Sequence, residues 1–446
     1  EAPIGDVVRY VEDLALWGCN ALAVWFDMHH YAGMGDPAAR KMVARLRRIL
    51  DAATGVGIGA GLVSLANEAF SNSPEELRAD WTAGHDGYTR EPGGHDHVEL
   101  RPSKRGGLDL ILDYRRQMLE AFKGIDLKYV WIWPYDQGGC TCAKCAPWGA
   151  NGYLKTADAE ARLIRRCFPE AAIVLSTWYF GHFTTGEWAG LTRAFDKKTP
   201  EWASYLMADD AGTDFPEFIL KHGVPGGLPL VTFPEISMFN MWPWGGFGVN
   251  PLPRHLQAIW DSVKRGAVGG FPYSEGIFED INKAICLQFF WDPGRQAAET
   301  VREYAAYHFS PDVADDMVGA ARMMEEGHGH SLKADNVRRW AEMPAGDRTK
   351  GRADFYQLRN SPQAQRCFDL VKKADTRLTA VARKSWRWRL FYIRAALDAE
   401  LAASRGAATA RSEAYFRELG RLYAARNAEG SVRPPAVRDV LRTIVG

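Results

Sequence analysis

Between residues 5 and 271 the chain repeats one pattern seven times: a stretch with apolar residues at helical spacing, then an apolar run of strand length. The strand-like runs are 20–26, 57–65, 129–133, 172–178, 203–208, 228–233 and 267–271. Helical stretches at 37–53, 108–122, 156–167, 186–195, 214–221 and 253–264 separate them, and another at 5–18 comes before the first. Strand and helix in alternation, with short links, build βαβ units and therefore a parallel sheet. No glycine-rich phosphate loop follows the first strand, which disfavours an open dinucleotide-binding sheet. The expected fold is α/β, a (β/α)8 barrel of the TIM type.

Such a barrel needs eight strands and seven are visible. The eighth is expected either upstream of Glu1, which the opening helix favours, or at Val98–Leu100 within the long polar loop 71–100. From about residue 294 the alternation stops. Residues 296–308, 311–326, 356–374, 377–404, 408–427 and 434–444 read as helices with no strand between them. The expected division is a barrel at 1–293 and an all-helical C-terminal domain at 294–446, in keeping with a chain too long for one simple core.

Acidic and basic residues balance at 55 each, so nothing electrostatic points to nucleic acid or to an anionic membrane. No apolar run approaches the ~20 residues that a membrane span needs. The chain opens at Glu1 without a signal peptide, and a processed, exported protein of the periplasm or the exterior is one expectation. The sequence leaves the oligomeric state open. Aromatic residues are abundant, with 16 Trp, 16 Tyr and 21 Phe. Those beside glycine and proline at strand ends stand out from the core.

In a parallel barrel, chemistry gathers at the carboxyl ends of the strands. Those ends offer, in order, Asp27 with His29 and His30; Asn67 with Glu68; Asp136; Trp178 with His182; Asp209 with Asp210; Glu235; and Glu275. Carboxylates, amide donors and indoles together suit a sugar, because carboxylates supply acid, base or nucleophile to an oxocarbenium-like transition state. Indole faces cover pyranose rings while polar groups bind the hydroxyls. The sharpest pair is Asp136 and Glu235, with Glu275 as competitor or hydroxyl ligand. Asp136 is the candidate general acid, and Trp133, Pro134 and Tyr135 supply the apolar setting that raises such an acid's pKa. Glu235 is the candidate nucleophile or base. Trp242 and Trp244, in an aromatic loop beside Glu235, are candidate stacking platforms. His29, His30, Asn67, Tyr135, Trp178, Asp209, Asp210 and Tyr273 are candidate substrate contacts. No cofactor is expected.

The run Trp133-Pro-Tyr-Asp-Gln-Gly-Gly-Cys-Thr-Cys-Ala-Lys-Cys145 resembles bacterial barrel proteins of the hexosaminidase and α-glucuronidase type. The nearest pattern is glycoside hydrolase family 163 and its relatives, with families 20 and 67 further off. Tyr273-Ser-Glu-Gly-Ile-Phe-Glu-Asp-Ile-Asn282 and Gln288-Phe-Phe-Trp-Asp-Pro293 extend the likeness, which spans roughly residues 5–310. The resemblance implies a glycosidase barrel and a carbohydrate substrate. One departure stands out: family 20 enzymes carry an adjacent Asp-Glu pair here, and this chain has Asp136-Gln137. An amide cannot donate a proton as an acid, so that mechanism does not carry over whole.

Two other readings remain. A metal-dependent barrel isomerase or lyase would use His29, His30, Asp209, Asp210 and Glu275 as ligands. A non-catalytic carbohydrate-binding protein would keep the aromatic platform without the acid. Cys140, Cys142 and Cys145 have ligand-like spacing for zinc or an iron–sulfur cluster, and a reduced or disulfide-braced loop is the plainer alternative.

Overall fold

In this computed structural model the described residues are 3–79, 98–135, 139–209, 216–234, 236, 249–274, 277–327, 361–404 and 409–422. Seven strands form one sheet: Ala21–Trp25 (β1), Gly59–Leu65 (β2), Leu127–Trp133 (β3), Ala172–Ser176 (β4), Ala203–Asp209 (β5), Leu230–Phe233 (β6) and Ala267–Gly270 (β7). Their order in space is their order in sequence, and every pairing is parallel. Eight helices accompany them: Ile4–Leu16 (α1), Pro37–Gly55 (α2), Gly107–Ala121 (α3), Gly152–Cys167 (α4), Glu187–Lys197 (α5), Glu217–His222 (α6), Pro253–Val263 (α7) and Asp280–Trp291 (α8).

The sheet is curled. Trp131 of β3 stacks on Phe271, just past β7, with ring centroids 4.7 Å apart, although β4, β5 and β6 lie between them in the ladder. Inward-facing side chains fill the hollow as one cluster that includes Val63, Trp131, Trp133, Val174, Met207 and Phe233. Alternation along each strand sends the other residues outward against the helices. Two glycines make room for this packing. A Cβ on Gly61 of β2 would come within 2.7 Å of the Trp131 ring, and one on Gly270 of β7 within 2.1 Å of Phe290 in α8.

The curl does not close into the eight-stranded barrel that the sequence suggested. Among the described residues β1 and β7 are not paired with each other. Val98–Leu100 does not supply the eighth strand, because Glu99 and Leu100 make only isolated antiparallel bridges to Glu68 and Arg78. The two edge strands show the consequence. Every residue of β1 is only half-buried and Val268 of β7 is 60% exposed, whereas β2 and β4 are buried almost throughout.

The remaining described helices are Ala297–His308 (α9), Ala314–Gly327 (α10), Ser361–Asp375 (α11), Ala380–Lys384 (α12), Trp386–Ala403 (α13) and Ala410–Leu422 (α14). Helix α13 is buried nearly all round, and its Trp386 and Trp388 are core. It is tied to the sheet's helical layer by buried charge. Arg387 Nε lies 2.6 Å from Asp280 Oδ2 at the start of α8. The same carboxylate accepts the Tyr304 hydroxyl at 2.5 Å. Burial alone would raise the Asp280 carboxyl, yet Arg387 outweighs it and holds it well below the usual range. Arg394, on the same helix, donates to the Val249 carbonyl at 2.7 Å.

Removing one partner of a buried ion pair strands the other charge and costs about 3–5 kcal/mol. Arg387→Leu is therefore expected to lower the free energy of urea unfolding by that amount. Arg387→Leu combined with Asp280→Leu is expected to lose less than the sum of the two single changes.

Candidate functional site

All seven strands end on one face, where the polypeptide leaves the sheet in loops. A cavity of about 1420 Å³ occupies the hollow behind that face and continues sideways between β1 and β7 to α1 and α8. Its lateral part is lined by groups such as Val7, Leu287 and Trp291 and belongs to the open edge of the sheet. Its mouth is lined by Asp27, Trp133, Trp178, Tyr179, Phe233 and Tyr273.

The mouth has an aromatic wall. Trp133 lies edge-on to Phe233 at 5.0 Å and 6.0 Å from Trp178, and Phe233 lies 5.8 Å from Tyr273. Tyr179 stacks on Trp178 at 3.8 Å and on His182 at 4.7 Å. Its φ of 60° lies in the left-handed region, which costs a residue with a side chain on the order of 1 kcal/mol or more. Here that strain lays the ring along the Trp178 indole. The indole nitrogens of Trp25, Trp131 and Trp178 are buried and meet no acceptor among the described residues. That of Trp178 belongs to the wall, whereas Trp131 packs below it against Phe271.

Beside the wall stands a His–Glu pair. β1 runs out at Trp25, and Met28–His30 makes a single 3-10 turn with Asp27 before it. That turn brings His29 Nδ1 to 2.7 Å from Glu68 Oε1, and the His29 backbone N–H donates to the same oxygen at 3.3 Å. Both side chains are almost fully buried. Burial pushes the Glu68 carboxyl up to about 8, against the pull of Arg115 and of two backbone N–H groups. The two side chains share a hydrogen bond, which a protonated Glu68 carboxyl would donate to Nδ1. Arg115 is the post beneath: fully buried, it donates to the carbonyls of Leu65 and Glu68 and lies 3.7 Å from the Glu160 carboxylate. His30 is exposed, with its ring 4.0 Å from that of His29. Burial, then proximity to His29, lowers its pKa.

Several residues singled out in the sequence take their places here. Trp178 and Tyr273 line the mouth, whereas His29 and His30 lie in the turn after Asp27, which lines it, and are not themselves among the lining residues. Asn67 and Tyr135, expected as sugar contacts, are instead buried struts. Asn67 donates to the carbonyls of Leu100 and Gly139 and accepts from the Gly139 N–H at 2.7 Å, so its amide is spent on the loops. The Tyr135 hydroxyl donates to Glu187, which also accepts from Gly149 and Gly181 at 2.8 Å each. Burial pushes Glu187 up to about 6 despite those donors. Asp209 ends β5 with its backbone opposite Phe233. Asp136, Glu235, Glu275, Asp210, Trp242 and Trp244 lie outside the described residues. Sequence reasoning missed the His29–Glu68 pair, whose members are 39 positions apart, and the bracing role of Glu187.

No family model and no curated protein matches the sequence. Solved structures do align with it. An O-GlcNAc hydrolase mutant from Thermobaculum terrenum aligns with a TM-score of 0.49 at 12% identity, over 99% of this chain and 91% of its own. Alpha-L-fucosidase isoenzyme 2 from Paenibacillus thiaminolyticus aligns with a TM-score of 0.43 at 14% identity, over 72% of this chain and 53% of its own.

The Glu68 carboxyl, at about 8 when folded against an ordinary 4.5, binds more protons in the folded state between those values. Stability from this group is full below the lower value and is lost as pH rises through the upper one, at up to ~1.4 kcal/mol per pH unit. Glu68→Gln is expected to flatten the fall in unfolding free energy between pH 5 and pH 8. Urea melts across that range check it, and parallel slopes for the two proteins would contradict the buried-acid reading.

Proposed function

We propose that this chain is a glycoside hydrolase that cleaves an oligosaccharide or glycan at the mouth of the curled sheet. One observation carries the reading: an aromatic wall of Trp133, Trp178, Phe233 and Tyr273 rims a cavity at the strand ends, the kind of surface on which a pyranose ring stacks. The proposed acids follow residues of that wall in the sequence. Asp136 follows Trp133 by three residues, Glu235 follows Phe233 by two and Glu275 follows Tyr273 by two. The ends of β6 and β7 are joined, since the Tyr273 N–H donates to the Pro234 carbonyl at 3.2 Å.

In this reading Asp136 is the general acid or acid/base and Glu235 the nucleophile or base, with Glu275 binding a hydroxyl or replacing Glu235. Trp178 and Tyr273 flank the ring, and Trp242 and Trp244 stack on it from their loop. The likeness of residues 133–145 to family 163 glycosidases supports the same class of substrate. The Asp136-Gln137 pair argues against wholesale transfer of the family 20 mechanism. A retaining enzyme would hold its two carboxyls about 5–5.5 Å apart and an inverting one about 6.5–9.5 Å apart.

One observation favours a second reading, a metal-dependent isomerase or lyase. Ligand atoms of Asp27, His29 and Glu68 lie within 4.8 Å of one another. Against it, the His29 nitrogen that faces the cluster is already hydrogen-bonded to Glu68, whose carboxyl burial favours as the neutral acid. That ligand set also shares only His29 with the one expected from sequence.

A panel of chromogenic glycosides and free glycans, scored by product mass, tests the proposal. Asp136→Asn and Glu235→Gln are each expected to cut turnover of a cleaved glycoside by roughly a hundred- to ten-thousandfold with the fold intact. Full activity in both variants would refute the assignment. Calorimetric sugar binding without any cleavage would identify a carbohydrate-binding protein instead. Trp178→Ala is expected to raise KM more than it lowers kcat, because ring stacking acts on bound substrate and transition state alike.

A further inference from the structure

We propose that Cys140, Cys142 and Cys145 bind a thiophilic divalent cation, zinc by preference, as three thiolate ligands of a structural site in the loop after β3. Their sulfurs lie within 4.8 Å of one another, and all three stand as free thiols. Around a tetrahedral ion with Zn–S bonds of about 2.3 Å, the sulfurs sit roughly 3.8 Å apart. A small contraction of the present cluster reaches that geometry. Cys140 and Cys145 are fully buried and Cys142 half-buried, so the ion would be shielded from solvent.

The surroundings suit thiolates. The Cys142 backbone N–H donates to the Cys140 sulfur. Ser103 Oγ lies 3.2 Å from the Cys142 sulfur, and its hydroxyl also bonds the Cys145 sulfur. Outer groups of this kind orient metal ligands and stabilise their charge. Ser103 touches two of the three sulfurs, which puts a hydrogen-bonding group where a fourth ligand, a water, would be held. On binding, three S–H bonds give their protons to solvent and three S–metal bonds form; no oxidant is needed.

The loop has a use for such a clasp. Its ends are fastened: Asn67 grips Gly139, and the Cys145 carbonyl accepts from the Gly152 N–H at 3.1 Å. Between those points the backbone makes a turn, with the N–H groups of Cys145 and Ala146 both on the Cys142 carbonyl. Packing alone would not require three sulfurs to converge. A disulfide would use two of them and leave a third buried thiol.

Elemental analysis of the whole chain, expressed with zinc and dialysed free of loose metal, is expected to find about one equivalent of zinc. Cobalt loaded in its place is expected to give a sulfur-to-cobalt charge-transfer band. Cys142→Ser is expected to lose roughly nine-tenths or more of the bound metal, whereas Cys19→Ser and Cys367→Ser keep it. Failure to bind zinc, bound cobalt without the sulfur band, or undiminished metal in Cys142→Ser would each overturn the proposal. If Cys142→Ser does not fold, the cobalt spectrum of the unaltered protein decides alone. None of these outcomes depends on glycosidase activity.

Discussion

A curled sheet has a hollow, and something must fill it. Interiors pack to the density of organic crystals, and an unfilled hollow forfeits contacts on every strand around it. This chain fills its hollow with aromatic rings. Trp131 reaches from β3 to Phe271 beyond β7, and Gly61 has no side chain to obstruct it. Higher up, Trp133, Phe233 and Tyr273 continue the same stack to the mouth. The surface presented to a ligand is therefore the top layer of the core. Rigidity at the mouth is inherited from packing below it, and a site so held keeps its geometry better than one carried on loops alone.

Burial acts on several carboxyl groups here, and three of them show how their partners decide the outcome. Asp280 meets the Arg387 guanidinium directly and stays ionised. Glu187 has three neutral donors and is pushed up to about 6. Glu68 has a cation nearby in Arg115, but that guanidinium is spent on the carbonyls of Leu65 and Glu68 rather than on the carboxyl, and the acid reaches about 8. A full positive charge repays desolvation, neutral donors repay part of it, and a cation used elsewhere repays less. Of the three, only Glu68 is hydrogen-bonded to a histidine, His29.

The alternation of strands and helices was legible because it rests on local periodicity. Helix α8 was not, since Asp280–Trp291 is apolar on nearly every side and shows no polar face by which to recognise it. The stretch 377–404 reads as one helix and is two, because the Thr379 side chain caps Ala382 and the backbone turns extended at Ser385. At the site, Trp178 and Tyr273 were legible from their position at strand ends. Asn67 and Tyr135 misled for the same reason. Loops that leave a parallel sheet carry backbone groups without ladder partners, and polar side chains at strand ends are the nearest means of satisfying them. The His29–Glu68 pair depends on how one turn after β1 sits against another after β2, which no short-range pattern records.

That bookkeeping of loop backbone explains how the exits of β2 and β3 are joined. Asn67 follows β2 by two residues and bonds both backbone groups of Gly139, in the loop that follows β3. Tyr135, one residue past Pro134, reaches Glu187 at the head of α5, which in turn holds Gly149 and Gly181. Trp148 closes the ring by donating to the Pro134 carbonyl at 2.7 Å. Three successive strand exits are thus linked by side chains rather than by ladder bonds. The proposed acid Asp136 is bracketed by these fixtures, Tyr135 on one side and Gly139 on the other. A proton donor must hold its oxygen within a few tenths of an ångström of its target to be effective. Asn67, Tyr135 and Glu187 thus fix the described residues on either side of the stretch that carries Asp136 in the sequence.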